Sequence, residues 1–239
     1  MPRADGFGEG LRLDGIEIVQ GDFRLVADLA VPAGARVAVL GPSGGGKSTL
    51  LGAIAGFVPL ASGRVLWAGG DLGRLPPGDR PLSILFQDQN LFPHLTAAQN
   101  VGLALRPSLR LSQAEAAQVE VALDRVGLAG LGARAPAELS GGQQGRVALA
   151  RVLLRARPLM LLDEPFAALG PGLKAEMLDL VAEIASDTGA TLLMVTHEPR
   201  DAEAIADSVV LVAEGRAAPP QPTAALLADP PPALRSYLG

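Results

Sequence analysis

Hydrophobic and polar positions alternate along the first part of the chain. Residues 23–31 carry an apolar or small side chain at every second position, and residues 11–19 show a similar pattern. Successive side chains of a strand point to opposite faces of its sheet, so this alternation is typical of half-buried, mostly antiparallel strands. Together with a short apolar run at residues 64–67, these segments predict a small antiparallel β layer near the amino terminus.

Further along, short apolar runs alternate with amphipathic stretches. The runs lie at residues 36–40, 82–86, 159–162, 191–196 and 208–212. Helices are predicted between them at residues 47–57 and 173–184, because apolar residues there recur with helical spacing. In the second helix the apolar stripe consists of Leu173, Met177, Leu180, Val181 and Ile184. Apolar strands that alternate with helices indicate a mainly parallel sheet covered on both faces.

The strand pattern stops at Gln87, and the region that follows is helical. Ser112 is followed three residues later by Glu115, and Ser140 in the same way by Gln143. This spacing is that of a capping box, in which two side chains satisfy backbone N–H groups at the start of a helix. The pattern therefore predicts helices that begin at these serines.

These patterns divide the chain into two units. We expect a nucleotide-binding α/β core formed by residues 1–86 and 158–239, and an inserted helical subdomain formed by residues 87–157. The tail at residues 217–233 is rich in proline and alanine, and we expect one short helix there, at residues 223–229.

Composition narrows the class of protein. The chain has 239 residues, of which 49% are hydrophobic and 19% are charged, as is typical of folded proteins. A net charge of −5 argues against a general nucleic-acid binder, which usually carries a basic face. The absence of cysteine excludes disulfides and thiolate metal sites. The first ten residues lack the apolar core of a signal peptide, and no apolar run approaches the ~20 residues of a spanning helix.

The most informative stretch is residues 41–49, which matches the pattern G-x-x-x-x-G-K-[ST] between a predicted strand and a predicted helix. Glycines let backbone N–H groups curl around an anion, and the helix amino terminus adds a positive dipole end. Lys47 can reach the β- and γ-phosphates of a nucleotide, and the hydroxyl of Ser48 can bind Mg²⁺. The candidate nucleotide-binding residues of this loop are Gly41, Pro42, Ser43, Gly44, Gly45, Gly46, Lys47, Ser48 and Thr49.

Polar residues follow three of the predicted strands. Asp163 and Glu164 come directly after one strand, Gln87 after another and His197 after a third. Ligands of open α/β sheets bind at the carboxyl ends of the strands, so these side chains should face the phosphate loop. One carboxylate can hold Mg²⁺ while the other deprotonates the attacking water. By itself, the histidine is equally consistent with a structural role.

Taken together, these motifs resemble the ATP-binding subunit of ABC transporters over essentially the whole chain. Residues 41–48 match Walker A, residues 159–164 match Walker B with its glutamate, and residues 139–143 (Leu-Ser-Gly-Gly-Gln) match the signature motif. Gln87 matches the Q-loop and His197 the switch histidine. The resemblance implies a RecA-like P-loop NTPase core with ATP and Mg²⁺ as cofactors. It implies Glu164, His197 and Gln87 as catalytic residues, and Ser48, Gln87 and Asp163 as metal ligands.

The signature motif implies that two copies cooperate. In the family, this helix start contacts the γ-phosphate of ATP bound by a second copy, so Ser140, Gly141, Gly142 and Gln143 are candidate nucleotide contacts. The resemblance implies a homodimer in the ATP-bound state, two transmembrane permease subunits and an external substrate-binding protein as indirect partner. It also implies a peripheral position on the cytoplasmic face of the cell membrane.

Three positions depart from the family pattern. The aspartate that usually follows the Ala168-Leu169 pair is replaced by Gly170, which affects the expected coupling of the two sites. Gly145 lies inside the signature helix, at an expected cost of about 1 kcal/mol in local helix stability. The aromatic that stacks on adenine is missing at Gln20, where Phe23 is the nearest ring.

Within the family, residues 80–100 are similar to the corresponding stretch of thiamine importer ATPases. In the family this stretch contacts the permease. Its similarity therefore indicates which permease the chain binds, and it indicates the transported substrate only indirectly. Polyamine, sulfate and ferric-iron importer ATPases remain alternatives, as does a cytosolic ABC ATPase without a transport role. A regulatory subunit with little hydrolysis is disfavoured by Asp163, Glu164 and His197. A GTPase is disfavoured because no Asn-Lys-x-Asp motif occurs.

Overall fold

The computed structural model describes residues 10–88, 90–167 and 169–238. The strands are β1 (Leu11–Gln20), β2 (Phe23–Val31), β3 (Arg36–Leu40), β4 (Ser62–Trp67), β5 (Gly70–Asp71), β6 (Leu82–Leu85), β7 (Leu159–Asp163), β8 (Thr191–Val195), β9 (Ser208–Ala213), β10 (Arg216–Ala217) and β11 (Gln221–Pro222). The α-helices are α1 (Lys47–Ala55), α2 (Ala97–Gly102), α3 (Gln113–Arg125), α4 (Gly141–Arg155), α5 (Pro171–Thr188), α6 (Pro199–Ile205), α7 (Thr223–Ala228) and α8 (Pro232–Leu238).

Three features considered above lie outside the described residues. These are the expected lack of a signal peptide at residues 1–9, Gln89 within the stretch compared with importer ATPases, and Ala168 of the Ala-Leu pair.

The strands form one 11-stranded sheet in the order β5-β4-β1-β2-β10-β9-β3-β8-β7-β6, with β11 paired to β9. Neighbours in the run β9-β3-β8-β7-β6 are parallel. The pairs among β1, β2, β4 and β5 are antiparallel. Strand β10 joins the two parts, because it pairs parallel with β2 and antiparallel with β9. The predicted α/β class with an amino-terminal antiparallel layer is therefore confirmed.

The sheet separates two apolar cores, and the parallel strands contribute buried side chains to both of them. In β3, Val37 and Val39 point into the core that contains β1, β2 and α1. Their neighbours Ala38 and Leu40 point into the core that contains α3, α4 and α5. Because strand side chains alternate in direction, a strand buried on both faces must be apolar at every position. This explains the continuous apolar runs seen in the sequence.

Two helices between β6 and β7 begin where the capping boxes predict. Ser112 caps α3 and Ser140 caps α4, and each accepts a hydrogen bond from the backbone N–H three residues later. A third capping box, at Thr96, begins α2. The buried side-chain amide of Asn100 accepts a hydrogen bond from the N–H of Phe92 and donates one to the carbonyl of the same residue. These two hydrogen bonds hold the segment that precedes α2. Local side-chain chemistry therefore sets all three helix starts.

The short helix expected in the tail is present as α7. The structure adds two helices that the sequence pattern did not predict, α6 after β8 and α8 at the carboxyl end. Both added helices have proline in their first turn, where the missing N–H costs nothing and the ring favours the helical φ. The two-residue strands β5, β10 and β11 were also missed, because two residues are too few to show a period.

A buried arginine caps the helix that follows the phosphate loop. Arg80 is 7% exposed, and its Nη1 donates to the carbonyl oxygens of Ala53 and Ile54 at 3.1 and 2.6 Å. Its Nε donates to the carbonyl of Leu75 at 3.2 Å. A cation at this end of α1 also complements the negative end of the helix dipole. Arg80 therefore ties the carboxyl end of α1 to the chain that leads into β6.

Arg80→Met is expected to lower the free energy of unfolding by about 2–3 kcal/mol, because it leaves buried carbonyls without donors. Chemical denaturation monitored by circular dichroism measures the change. The exposed Arg74 is the matched control, and Arg74→Met should leave the unfolding midpoint unchanged. Equal midpoints for both variants would show that the cap does not stabilise α1.

Candidate nucleotide-binding site

The loop between β3 and α1 has a backbone that requires glycine at two positions. Gly41 has φ +148°, and a Cβ there would lie 2.0 Å from the carbonyl oxygen of Val212. Gly46 has φ +100°, and a Cβ there would lie 2.5 Å from Cζ of Phe23. Any side chain at these positions would collide with β9 or with the Phe23 ring, and it would strain the backbone as well. The loop is therefore held close to its surroundings on both sides.

Lys47 begins α1 and folds back over this loop. Its Nζ donates to the carbonyl oxygens of Gly41 and Pro42, both at 2.9 Å. Burial lowers the pKa of the ammonium, while the nearby carboxylates of Glu164 and Asp163 oppose that shift. The cap residue of the helix has no side chain to occupy the first-turn N–H groups. A buried ammonium and a helix amino terminus thus converge on one loop, an arrangement suited to phosphate.

Ser48, in the first turn of α1, meets the end of β7. Its Oγ donates to Oδ1 of Asp163 at 3.1 Å, across 115 residues of sequence. Burial is the main reason that the pKa of Asp163 is raised, and the neighbouring Glu164 carboxylate raises it further. The hydrogen bond from Ser48 and the charges of Lys47 and His197 act in the opposite direction. A bound cation would relieve the cost of keeping this buried carboxylate ionised.

The described residues contain no cluster of three or more His, Cys, Asp or Glu side chains that could hold a metal. A cation beside Asp163 would therefore need the hydroxyl of Ser48 and oxygens from a ligand. Mg²⁺ is commonly bound in this way, by one or two protein groups together with water and substrate phosphates. The residues present thus fit a magnesium–nucleotide complex.

Glu164 stands at the end of β7 in an unusual conformation. Its φ is +48°, in the left-handed region that non-glycine residues rarely adopt. Its N–H donates to the carbonyl of Val195 at 3.1 Å, and its Oε1 pairs with Nε2 of His197. Strained backbone that the surrounding structure holds in place is typical of functional sites. The structure therefore brings the carboxylate and the imidazole together at the edge of the sheet.

Most of these groups line one cavity of about 410 Å³, whereas Asp163 is not in its wall and contacts it through Ser48. Its wall consists of Gln20, Phe23, Ser43, Gly44, Gly46, Lys47, Ser48, Thr49, Gln87, Glu164 and His197. Gln87 is exposed at its rim. The phosphate loop and the polar strand ends thus share a single space, as expected for parallel strands that end at one edge. Phe23, which the sequence offered only as the nearest ring, also forms part of this wall.

The signature residues lie elsewhere. Ser140 caps α4, its Oγ accepts from the N–H of Gln143 at 3.3 Å, and its own N–H donates to Oε1 of Gln143 at 2.9 Å. Ser140 and Gly141 are exposed. None of the four candidate residues from 140 to 143 lines the cavity described above. The signature residues are therefore separate from the cavity that contains the phosphate loop.

The three departures from the family pattern have different structural settings. Gly170 is the cap residue of α5, with an ordinary φ of −66°, and a Cβ there would meet no atom within 4 Å. A Cβ would therefore fit at this position, and the backbone conformation does not require glycine. Gly145 is buried within α4. Phe23 packs against the phosphate loop, whereas Gln20 is exposed at the cavity wall.

Comparisons with known proteins agree with this geometry. The family model described as "ABC transporter" matches residues 26–167. The chain is 67% identical to the thiamine import ATP-binding protein ThiQ of Cereibacter sphaeroides over 229 residues, which is 96% of this chain and 99% of the relative. It is 62% identical to the protein of the same name from Ruegeria sp. strain TM1040, with the same coverage.

A solved structure is also similar. The ATP-binding cassette MJ0796, in a dimeric post-hydrolysis state bound to ADP and Pi, superposes with a TM-score of 0.79. The two chains are 27% identical, and the match covers 89% of this chain and 98% of that one.

Proposed function

The chain belongs to the ABC transporter family, and from that premise we propose that it is the ATP-hydrolysing subunit of a thiamine importer. One observation carries the ATPase: the phosphate loop, Ser48 and the Glu164–His197 pair line a single cavity, and Ser48 is hydrogen-bonded to Asp163. The cargo follows from the relatives named as thiamine import proteins, which match the chain over nearly its whole length.

Binding of MgATP uses groups that already converge. We propose that Lys47 and the N–H groups of residues 43–48 bind the β- and γ-phosphates. Ser48, Asp163 and Gln87 would hold Mg²⁺, which neutralises charge that develops on the phosphate oxygens. Phe23 would face the base, since it is the aromatic residue in the cavity wall.

Hydrolysis then requires a base and a group that positions the water. Glu164 would take a proton from the attacking water. The oxygen of that water would bond to the γ-phosphorus while the bond between the γ-phosphorus and the leaving ADP breaks. The paired imidazole of His197 would orient the Glu164 carboxylate and the γ-phosphate. The pair lies at the edge of the sheet where the parallel strands β7 and β8 end.

We propose that a homodimer completes each site. The exposed start of α4, with Ser140 and Gly141, would supply backbone N–H groups to the γ-phosphate bound by the second copy. Support comes from the separation of this helix start from the chain's own cavity and from the dimeric state of MJ0796.

The permease would dock between two units of the chain, the core at residues 1–86 and 158–239 and the helical subdomain at residues 87–157. A groove of about 320 Å³ lies between β6 and α4. Phe57 and Phe92, which are 55% and 47% exposed, lie on its wall. No helix in the described part of the chain could span a membrane. We propose a peripheral position on the inner face of the cell membrane, beside two permease subunits and, indirectly, an external binding protein.

Uptake of labelled thiamine tests the cargo. In cells deleted for this chain, thiamine uptake should fall to background, and the wild-type chain should restore it. Uptake of sulfate, ferric iron and a polyamine in the same cells is the control and should not change. Loss of one of these activities with intact thiamine uptake would overturn the cargo assignment and identify the alternative.

A further inference from the structure

Lys174 is unusual in both its type and its place. The chain has 20 basic residues, and only Lys47 and Lys174 are lysines. Lys174 lies in the first turn of α5, where the positive end of the helix dipole disfavours a cation. Its side chain is nevertheless only 12% exposed. A charge that is held in this position needs compensation from carboxylates.

Two carboxylates on the segment after β8 provide it. Nζ of Lys174 lies 2.5 Å from Oε1 of Glu198 and 3.3 Å from Oδ2 of Asp201. The Asp201 side chain is 9% exposed, so this part of the contact is shielded from water. The two acidic groups raise the pKa of Lys174 in spite of its burial. The ammonium thus links the start of α5 to the start of α6.

The same contacts reach both sequence neighbours of His197. Oγ1 of Thr196 donates to Oδ2 of Asp201 at 2.6 Å, the oxygen that Lys174 also contacts. The N–H of Glu198 donates to Oγ1 of Thr196 at 3.1 Å. The backbone on either side of the histidine is therefore tied to one hydrogen-bonded group, which we call the Lys174 cluster: Lys174, Thr196, Glu198 and Asp201.

We propose that Lys174 is a positioning residue for ATP hydrolysis, holding the segment 196–198 so that His197 stays paired with Glu164. The inference rests on the proposed ATPase function. Lys174 itself does not line the cavity that contains the phosphate loop, so it acts through the histidine.

A small cavity of about 40 Å³ lies between Glu164, Phe166, His197 and the Lys174 cluster. The cluster therefore lies next to the Glu164–His197 pair. Lys174 follows Gly170 by four residues. Leu169, which precedes Gly170, lies against the signature helix, 3.0 Å from a Cβ built on Gly142. The Lys174 cluster thereby connects the start of α5 to the histidine.

Steady-state ATPase kinetics test the proposal with the full chain. Lys174→Met is expected to lower kcat by about tenfold to a hundredfold, because small displacements of catalytic groups have effects of that size. KM for ATP should stay within about twofold, since no phosphate contact is lost. Glu183→Gln is the control, because it removes an exposed pairing of Arg125 with the carboxyl-terminal half of the same helix. It should leave both constants unchanged.

A double-mutant cycle distinguishes positioning from a general structural effect. If Lys174 acts through His197, adding Lys174→Met to His197→Ala should cause no further loss of kcat. Thr196→Val, which removes the hydroxyl between the histidine segment and Asp201, should behave in the same way and serves if Lys174→Met does not fold. Additive losses, or an unchanged kcat in Lys174→Met, would overturn the proposal. A wild-type chain without ATPase activity would instead overturn the proposed function.

Discussion

Glu164→Gln is expected to lower ATP hydrolysis by about 10²- to 10⁴-fold, because the amide cannot take the proton from the attacking water. Nucleotide binding should survive, since Gln keeps the size of the side chain and the phosphate loop is untouched. The variant should therefore accumulate as an ATP-bound dimer. Size-exclusion chromatography with light scattering, at saturating ATP and Mg²⁺, measures that state, and single-turnover assays measure hydrolysis.

Glu203 provides the matched control for this experiment. It is an exposed glutamate on α6, in the same part of the fold as His197 but outside the cavity. Glu203→Gln should hydrolyse ATP at the wild-type rate and should dimerise only transiently. A Glu164→Gln variant that turns over normally would remove Glu164 as the base. One that stays monomeric with saturating ATP would argue against the dimer.

Lys47→Ala is expected to weaken ATP binding by about 10- to 100-fold, the size of a lost charge-assisted hydrogen bond. The loss has two physical sources. The ammonium no longer contacts the β- and γ-phosphates, and the carbonyls of Gly41 and Pro42 lose the donor that they share. Titration with a fluorescent ATP analogue measures the affinity directly. Because hydrolysis depends on binding, thiamine uptake should also fall in cells that carry this variant.

A surface arginine controls for the change in net charge. Arg64 is an exposed residue on β4 that pairs with Asp14, far along the sheet from the phosphate loop. Arg64→Ala removes one positive charge and should leave ATP affinity unchanged. If both variants bind ATP as the wild type does, Lys47 is not a phosphate ligand in this chain.

The sequence alone determined those features that depend on neighbouring residues. Alternation predicted β1 and β2, the apolar runs predicted the parallel strands, and the capping boxes at Ser112 and Ser140 marked the starts of α3 and α4. The phosphate loop could be recognised because its chemistry needs consecutive residues. The edge at which Glu164 and His197 meet also followed, since parallel strands present their carboxyl ends at one edge of the sheet.

Contacts between distant segments were decided only by the tertiary structure. Nothing near Lys174 in the sequence indicates Thr196 or Asp201, because these side chains meet only when α5 packs beside α6. Gly46 cannot be replaced by a larger residue because a Cβ there would collide with Phe23, which lies on β2. The two parts of the sheet are joined by β10, a strand of only two residues. Periodicity reports which face of an element is buried, whereas the partner on that face is set by how the whole chain packs.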